Sequence, residues 1–278
     1  SALSADTLGS NSTAIGRKAL GTQNFTTATN AYNTAVGSFA GEVLTTGLRN
    51  TLIGALAGDK LTDADDNTAL GMDALSADTN GSKSTAVGKG ALNVQNFTTA
   101  TDTYNTAVGY LAGTAVSTGV QNTLIGGLAG DALTDADENV AVGMQALTRD
   151  TLGSTSTAIG FNTLADQNFT TATDSYNTAV GNNAGGAVST GIKNTLIGGL
   201  AGDALTDADF NVAIGHQALS ADTLGSYSVA IGDAALRAQN HTSAQNTFNT
   251  AVGASAGLLV STGVQNTCLL YTSDAADE

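Results

Sequence analysis

The sixteen residues "NTLIGGLAGDALTDAD" at positions 122–137 recur unchanged at positions 194–209. A near copy, "NTLIGALAGDKLTDAD", occupies positions 50–65, so the three copies begin at the evenly spaced positions 50, 122 and 194. An active site is assembled once, whereas fibres and solenoids repeat one structural unit along their length. The repetition therefore favours a structural array over an enzyme.

A shorter phrase, [N/S]-[T/V]-[A/L]-[V/I/L]-G, recurs inside this long period. The spacing between successive glycines of the phrase runs 21, 17, 17, 17, and this series then begins again. Four short units thus make one 72-residue unit. The glycines are Gly16, Gly37, Gly54, Gly71, Gly88, Gly109, Gly126, Gly143, Gly160, Gly181, Gly198, Gly215, Gly232 and Gly253.

Each short unit combines a few strand-forming residues with a turn of small residues. Thr, Val and Ile favour strands, and the frequent glycines oppose helix formation. We predict an all-β fold, a parallel β-solenoid or β-roll of about fourteen 17- or 21-residue coils. The repeated glycine would end each strand at a tight bend, and the leading Asn or Ser would form a ladder of stacked side chains.

The composition excludes several classes of partner. The formal charge is −15, with 9 basic and 24 acidic residues, which opposes binding to nucleic acid and to anionic membrane surfaces. No apolar run is long enough to cross a bilayer, and the absence of proline suits a backbone paired in ladders. Cys268 is the one cysteine, so no disulfide within the chain is expected.

Adjacent large apolar residues in one strand indicate self-association. In "NTLIG", Leu124 is followed by Ile125, and successive side chains of a strand point to opposite faces. One of the two must then lie on the outer face of a thin solenoid. Covering that face with further copies of the chain is the simplest way to bury it, and we predict a closed symmetric oligomer.

The phrases "SVAIG" at 228–232, "NVAIG" at 211–215 and "STAIG" at 12–16 resemble the head repeat of trimeric autotransporter adhesins. The chain is also similar to repeats in phage and viral tail fibres. The resemblance covers residues 1–267 and implies a left-handed β-roll of three intertwined chains. It also implies an extracellular, cell-surface or virion location and a host-surface or matrix receptor. The adhesin head repeat is shorter than the units of this chain, which leaves a single-chain solenoid open.

The repeat phase divides the chain into two parts. We predict a solenoid domain over residues 1–267, which begins in phase with later units as if cut from a longer array. Residues 268–278, "CLLYTSDAADE", match no upstream unit. We interpret this tail as a translated sequencing adapter, with a natural cap as the alternative.

The 21-residue units carry a four-residue insertion that is rich in aromatic residues. They include "QNFTTATNAYN" at 23–33 and "QNFTTATDTYN" at 95–105. We predict protruding loops whose two rings pack on each other and which repeat about every 19 Å, or four strand spacings. These rings are the candidate contact residues: Phe25, Tyr32, Phe97, Tyr104, Phe169 and Tyr176.

A D-x-x-x-D-x-D turn recurs in each 72-residue unit. Oxygen ligands at this spacing suit Ca²⁺, and Asp78, Asp150 or Asp222 of the next coil could enlarge each cluster. Aspartates that cap backbone N–H groups of a solvated turn are the alternative. The candidate ligands are Asp59, Asp63, Asp65, Asp131, Asp135, Asp137, Asp203, Asp207 and Asp209.

Six N-x-[S/T] sequons are present, at Asn11, Asn24, Asn80, Asn96, Asn168 and Asn240. In a secreted eukaryotic protein they would be acceptors for N-glycosylation. In a bacterial or phage protein they would be a consequence of Asn and Thr richness, and we favour this second interpretation.

No nucleophile–base pair, phosphate loop or single acidic cleft stands out, and we predict no enzymatic activity and no resident cofactor other than calcium. A carbohydrate-degrading β-helix would need clustered acids at one unit, which even repetition does not provide. The predicted function is therefore a structural and adhesive rod. The alternative is an ice-binding solenoid, because Thr34, Thr51, Thr68, Thr106 and Thr123 would form a column.

Overall fold

The computed structural model describes residues 1–270, and these form a parallel β-solenoid without helices. The strands are, in chain order, β1 Gly9–Ser10, β2 Thr13–Ile15, β3 Thr29–Asn30, β4 Thr34–Val36, β5 Thr51–Ile53, β6 Thr68–Leu70, β7 Gly81–Ser82, β8 Thr85–Val87, β9 Thr101–Asp102, β10 Thr106–Val108, β11 Thr123–Ile125, β12 Val140–Val142, β13 Gly153–Ser154, β14 Thr157–Ile159, β15 Thr173–Asp174, β16 Thr178–Val180, β17 Thr195–Ile197, β18 Val212–Ile214, β19 Gly225–Ser226, β20 Val229–Ile231, β21 Gln245–Asn246, β22 Thr250–Val252 and β23 Thr267–Leu269.

The three-residue strands build one 15-stranded sheet in the order β2-β4-β5-β6-β8-β10-β11-β12-β14-β16-β17-β18-β20-β22-β23. Neighbouring strands are parallel and in register, so that Thr123 pairs with Val140 and Leu124 with Ala141. At the usual strand spacing this sheet is about 65–70 Å long. Four two-stranded sheets, β1-β3, β7-β9, β13-β15 and β19-β21, pair each 21-residue coil with the coil before it. The predicted solenoid is confirmed.

The glycines that end the strands lie in a file, each against the next. Gly126 has φ +137°, and a Cβ placed on it would lie 2.4 Å from the carbonyl oxygen of Gly143. Gly143 meets Gly160 in the same way, at 2.2 Å. Any side chain at these positions would both strain the backbone and force two coils apart.

The predicted asparagine ladder is present directly before the strands. Asn50 donates its backbone N–H to Oδ1 of Asn33 at 2.8 Å, and its Nδ2 donates to the carbonyl oxygen of Ala64 at 2.7 Å. Asn122 repeats both bonds, with Asn105 and with Ala136. These side chains are buried, so they supply partners to backbone groups that water cannot reach.

The core explains why the repeat is complete only after four coils. In coil 33–49 the strand residue is Ala35 and the turn supplies Leu44. In coil 50–66 the strand supplies Leu52 and the turn supplies Leu61, and these leucines fill the interior beside Gly41 and Gly58. In the next two coils, leucines replace those glycines, and the strand residue is alanine. Leu75 is fully buried in this arrangement despite a φ of 54°. A small residue in one coil thus lies beside a large residue of a neighbouring coil, which keeps the interior filled.

The last described strand extends past the predicted domain boundary. β23 pairs Cys268 with Ala251, and Cys268 occupies the place of the buried leucines of the long repeat. Residues 271–278 of the predicted tail lie outside the described residues. Within residues 1–270, no helix has the length and apolar character needed to cross a membrane.

The glycine file generates a first prediction. We expect Gly126→Ala to lower the free energy of unfolding by about 1–3 kcal/mol through backbone strain alone, the usual cost of a side chain in a conformation that only glycine adopts easily. The clash with the Gly143 carbonyl adds to this cost. Urea-induced unfolding followed by circular dichroism measures the change.

Gly127→Ala is the matched control, because the nearest atom to its Cβ would be 4.0 Å away. Equal unfolding midpoints for the two variants would contradict the role given to the file.

Candidate functional site

The outward-facing side of the 15-stranded sheet is a regular surface that runs from Thr13 to Leu269. In β11 the middle residue, Leu124, is fully buried, whereas Ile125 is 38% exposed and Thr123 is half-buried. First and third residues of each strand in this sheet therefore point outward, as two columns that we call the outer sheet face. Each strand forms one row of this face, and neighbouring rows are about 4.8 Å apart. Within a row the two outward-facing residues are two positions apart along the strand, about 6.6 Å.

One column of the outer sheet face is mainly threonine and the other is aliphatic. Val140, Val212 and Val229 replace threonine in the first column. The aliphatic column contains exposed residues from end to end: Ile15, Ile53, Leu70, Ile125, Ile159, Ile197, Ile231, Val252 and Leu269. Four of the residues that directly follow the file glycines are apolar and exposed, namely Met72, Tyr110, Met144 and Phe161. In other coils the same position holds charged or polar residues, among them Arg17, Lys89, His216 and Asp233. A continuous apolar strip of this length is typical of an interaction surface.

A buried polar network holds the base of each 21-residue coil. Asp78 accepts hydrogen bonds from the backbone N–H groups of Gly81 and Phe97 and from Nε2 of Gln95. Gln95 Oε1 in turn accepts from Asn105 Nδ2 at 2.9 Å. Such a network fixes the loop because every buried donor and acceptor in it has a partner.

The network recurs around Asp150 and Asp222. The sequence analysis did not predict this network and offered these aspartates as additional ligands of the calcium clusters. The signal that could have found it is a glutamine seventeen residues after each such aspartate, as in Asp78 and Gln95.

The predicted pairs of loop rings do not pack on each other. Phe97 is 8% exposed and lies over the buried network, whereas Tyr104 is 53% exposed. Phe25 and Phe169 are buried in the same way, and Tyr32 and Tyr176 are exposed. The phenylalanines therefore anchor the loop, and the tyrosines remain as candidate contact residues. The sequence contains both rings, but the direction in which each side chain points depends on the buried aspartate beneath.

The exposed tyrosines belong to a column formed by the last residue before each Asn or Ser of the ladder. Near the carboxyl end this column becomes an aromatic stack, with ring centroids of Phe210 and Tyr227 4.8 Å apart and an interplanar angle of 12°. Tyr227 and Phe248 follow at 5.4 Å, and Lys193 Nζ lies 5.0 Å from the Phe210 centroid. Because the ring faces cover one another, the stack presents ring edges to solvent.

Ion pairs occupy the same column near the amino end. Arg49 forms a fork with Asp66, with Nε to Oδ1 at 2.6 Å and Nη2 to Oδ2 at 2.9 Å. This hydrogen bond lowers the pKa of Asp66 and raises the pKa of Arg49. Lys83 lies 2.6 Å from Asp102 and 3.1 Å from the Tyr104 hydroxyl, and both contacts raise its pKa.

These groups line an open cleft of about 720 Å³. Two cations, Arg49 and Lys83, line the cleft together with four aspartates, Asp63, Asp65, Asp66 and Asp102, so carboxylates outnumber cations there. Ion pairs this exposed contribute little to stability.

The aspartates of the predicted calcium turns do not converge. Within residues 1–270, no three His, Cys, Asp or Glu side chains form a group that could hold a metal ion. Asp63 accepts from the Thr46 hydroxyl at 2.5 Å, and Asp65 accepts from the backbone N–H of Leu48 at 2.8 Å. Each acid is thus directed at the preceding coil, in agreement with the alternative of capping aspartates.

The other two turns repeat this arrangement, with Asp135 and Asp207 bound by threonines and Asp137 and Asp209 by backbone N–H groups. Asp59 is 5% exposed and Oδ1 of Asp203 is buried, whereas Asp63 and Asp207 are exposed. Burial raises the pKa of Asp59 and Asp203; Lys60 opposes the rise at Asp59, whereas Oδ1 of Asp203 is buried without a partner. Asp131 accepts from the Thr148 hydroxyl at 2.6 Å.

One 21-residue coil departs from the others. His241 takes the place of Phe25, Phe97 and Phe169, is 5% exposed, and has no hydrogen-bond partner for either ring nitrogen. Its Nδ1 lies 3.6 Å from Oδ2 of the buried Asp222. An imidazole ring therefore occupies the position that a phenyl ring occupies in the other three 21-residue coils.

Comparison with models of known protein families, with curated proteins and with solved structures gives no match.

The unpartnered imidazole generates a second prediction. We expect His241→Phe to stabilise the protein by about 1–3 kcal/mol at pH 8, because burying polar groups without partners carries a cost of this size. The reverse change, Phe169→His, should destabilise by a similar amount at the equivalent position. Thermal unfolding of both variants measures the difference, and a loss of stability in His241→Phe would contradict the assignment.

Proposed function

We propose that this chain is a rod segment of an extracellular adhesin or virion fibre that associates with copies of itself through the outer sheet face. The observation that carries the proposal is the exposed aliphatic column, which runs along the sheet from Ile15 to Leu269. A surface of this kind costs free energy in water, at roughly 25 cal/mol for each Å² of apolar area left exposed. Burial against an identical face would recover that free energy.

A closed homotrimer with its axis parallel to the rod suits the regularity of this face. Under such symmetry each row meets the same row of its neighbours, so Ile125 would face Ile125 and no side-chain register would need to be specified. The side chains of the neighbouring column, Thr and Val, are small enough to let the three chains approach one another closely. The net charge of −15 does not oppose this contact, because the strand residues that form the outer sheet face are uncharged.

The tyrosines of the 21-residue coils would provide the adhesive contacts. Tyr32, Tyr104 and Tyr176 are exposed, and they recur every four coils, about 19 Å apart. Weak contacts at fixed spacing on a stiff support reinforce one another through effective concentration. A host-surface or matrix receptor with its own repeated units is the partner that such a row fits. The proposed activity is binding and mechanical support rather than catalysis.

Mass in solution tests self-association. We expect light scattering to give three times the 27.4 kDa of one chain. The double variant Ile125→Lys with Ile197→Lys should give the mass of a single chain, because two buried charges per protomer would face their symmetry mates without compensation.

Val94→Lys is the control, since Val94 is exposed and apolar but lies outside the sheet. A wild-type chain that is monomeric at all concentrations would overturn the proposed assembly.

A second function is supported by the threonine column. Thr106 and Thr123 pair in register, and the threonine column presents hydroxyl and methyl groups on a regular grid beside the aliphatic column. A grid of this kind can order water and bind ice. This function requires the outer sheet face to remain uncovered, so it predicts a monomer that inhibits ice recrystallisation. Thr195→Arg should then abolish the inhibition and Val94→Lys should not, and a trimer without inhibition would exclude it.

A further inference from the structure

Four of the six sequons share one structural position. Asn24, Asn96, Asn168 and Asn240 follow the buried glutamine of each 21-residue coil and recur once in every long repeat. The remaining two, Asn11 and Asn80, have no counterpart in the other long repeats. Lys83 stands one long repeat after Asn11, and Leu152 stands one long repeat after Asn80. The repeat has therefore retained the sequon at one position only.

The acceptor atoms at the recurrent position are accessible. Asn96 is exposed, and its Oδ1 accepts from the Thr79 hydroxyl at 3.2 Å, while its Nδ2 donates to no acceptor within residues 1–270. The same bond, from a threonine of the preceding coil to Oδ1, orients Asn24, Asn168 and Asn240 at 3.0, 3.1 and 3.4 Å. The sequon threonines, Thr26, Thr98, Thr170 and Thr242, are all exposed.

The other two sequons use their Nδ2 atoms within the fold. Asn80 is half-buried, its Nδ2 donates to the Thr98 carbonyl oxygen at 3.0 Å, and its Oδ1 accepts from the Thr62 hydroxyl at 2.8 Å. Asn11 Nδ2 donates to Asn30 Oδ1 at 2.9 Å. A substituent on Asn80 would remove a bond that ties two coils together.

Asn and Thr richness alone does not explain why the sequon that recurs in every long repeat is the one whose Nδ2 is left out of the fold's hydrogen bonds. In place of the compositional interpretation, we propose that Asn24, Asn96, Asn168 and Asn240 are N-glycosylation sites. The co-reactant is a lipid-linked pyrophosphate oligosaccharide. Nδ2 forms a bond to the anomeric carbon of the sugar, and the bond from that carbon to the pyrophosphate oxygen breaks. The lipid pyrophosphate leaves with the electron pair, and the proton lost from Nδ2 passes to a base of the transferase.

The fold sets the order of events. Phe97, the middle residue of the sequon, is buried, and its N–H is bound to Asp78, so the transferase reaches the sequon only before the coil closes. After folding, the glycans stand in a row about 19 Å apart. Asn96 follows the end of β8 by nine residues, about half a coil, which places the row away from the outer sheet face. The inference therefore does not depend on self-association.

Secretion of the full chain behind a cleavable signal peptide, in a cell line that carries out N-glycosylation, tests this assignment. Enzymatic removal of the glycans in heavy-oxygen water marks each occupied asparagine for peptide mass mapping. We expect secreted protein to be occupied at the four recurrent sites and depleted of glycan at Asn80. Secreted protein without glycans at the four sites, or with Asn80 occupied to the same extent, would overturn the proposal.

Thr98→Ala should remove one glycan, because the sequon hydroxyl is lost while the carbonyl that binds Asn80 remains. Thr99→Ala, a change at the next exposed residue, should retain all four and serves as the matched control. We further expect glycosylated and deglycosylated protein to unfold at the same temperature within a few degrees, since no fold bond involves the modified atoms. Unfolding on deglycosylation, or retention of the fourth glycan in Thr98→Ala, would contradict the placement of the sites.

Discussion

The close approach of successive coils at the glycine file is the constraint on which the other features depend. A carbonyl oxygen lies where the Cβ of any other residue would stand, as between Gly126 and Gly143. This contact fixes the distance between coils at one point of each turn. The in-register strands and the asparagine ladder then repeat at the same distance. Their hydrogen bonds between coils can therefore all form at once.

Strict register turns each position of the coil into a column. In the interior, alanine of one coil lies beside leucine of a neighbouring coil so that the space stays filled. Below each 21-residue coil, a network of aspartate, glutamine and asparagine replaces the aliphatic residues. The long period thus reflects two requirements. The interior must remain filled, and the larger coil needs a polar base that a leucine at the position of Asp78 could not provide.

The period, the solenoid, the glycine file and the asparagine ladder were predictable from the sequence, because each depends on one residue type at a fixed spacing. The turns were not. Many residues other than glycine adopt positive φ, among them Leu56, Leu75 and Asp66, and such residues reverse the direction in which neighbouring side chains point. Neither the burial of Phe97 nor that of Asp59, in a turn whose Asp63 is exposed, follows from spacing alone. The aromatic stack at Phe210 was missed because its members are distant in sequence and share only a coil position.

A solenoid of this regularity concentrates function in columns rather than in a single pocket. The outer sheet face and the row of exposed tyrosines are both column properties, and each gains strength from repetition. Departures from the repeat have a different meaning. The fork between Arg49 and Asp66 and the buried imidazole of His241 each occur once among residues 1–270, so they cannot contribute to a multivalent contact. The four recurrent sequons form such a column, since the sequon recurs only at the position where the fold leaves the amide nitrogen of the asparagine without a hydrogen bond.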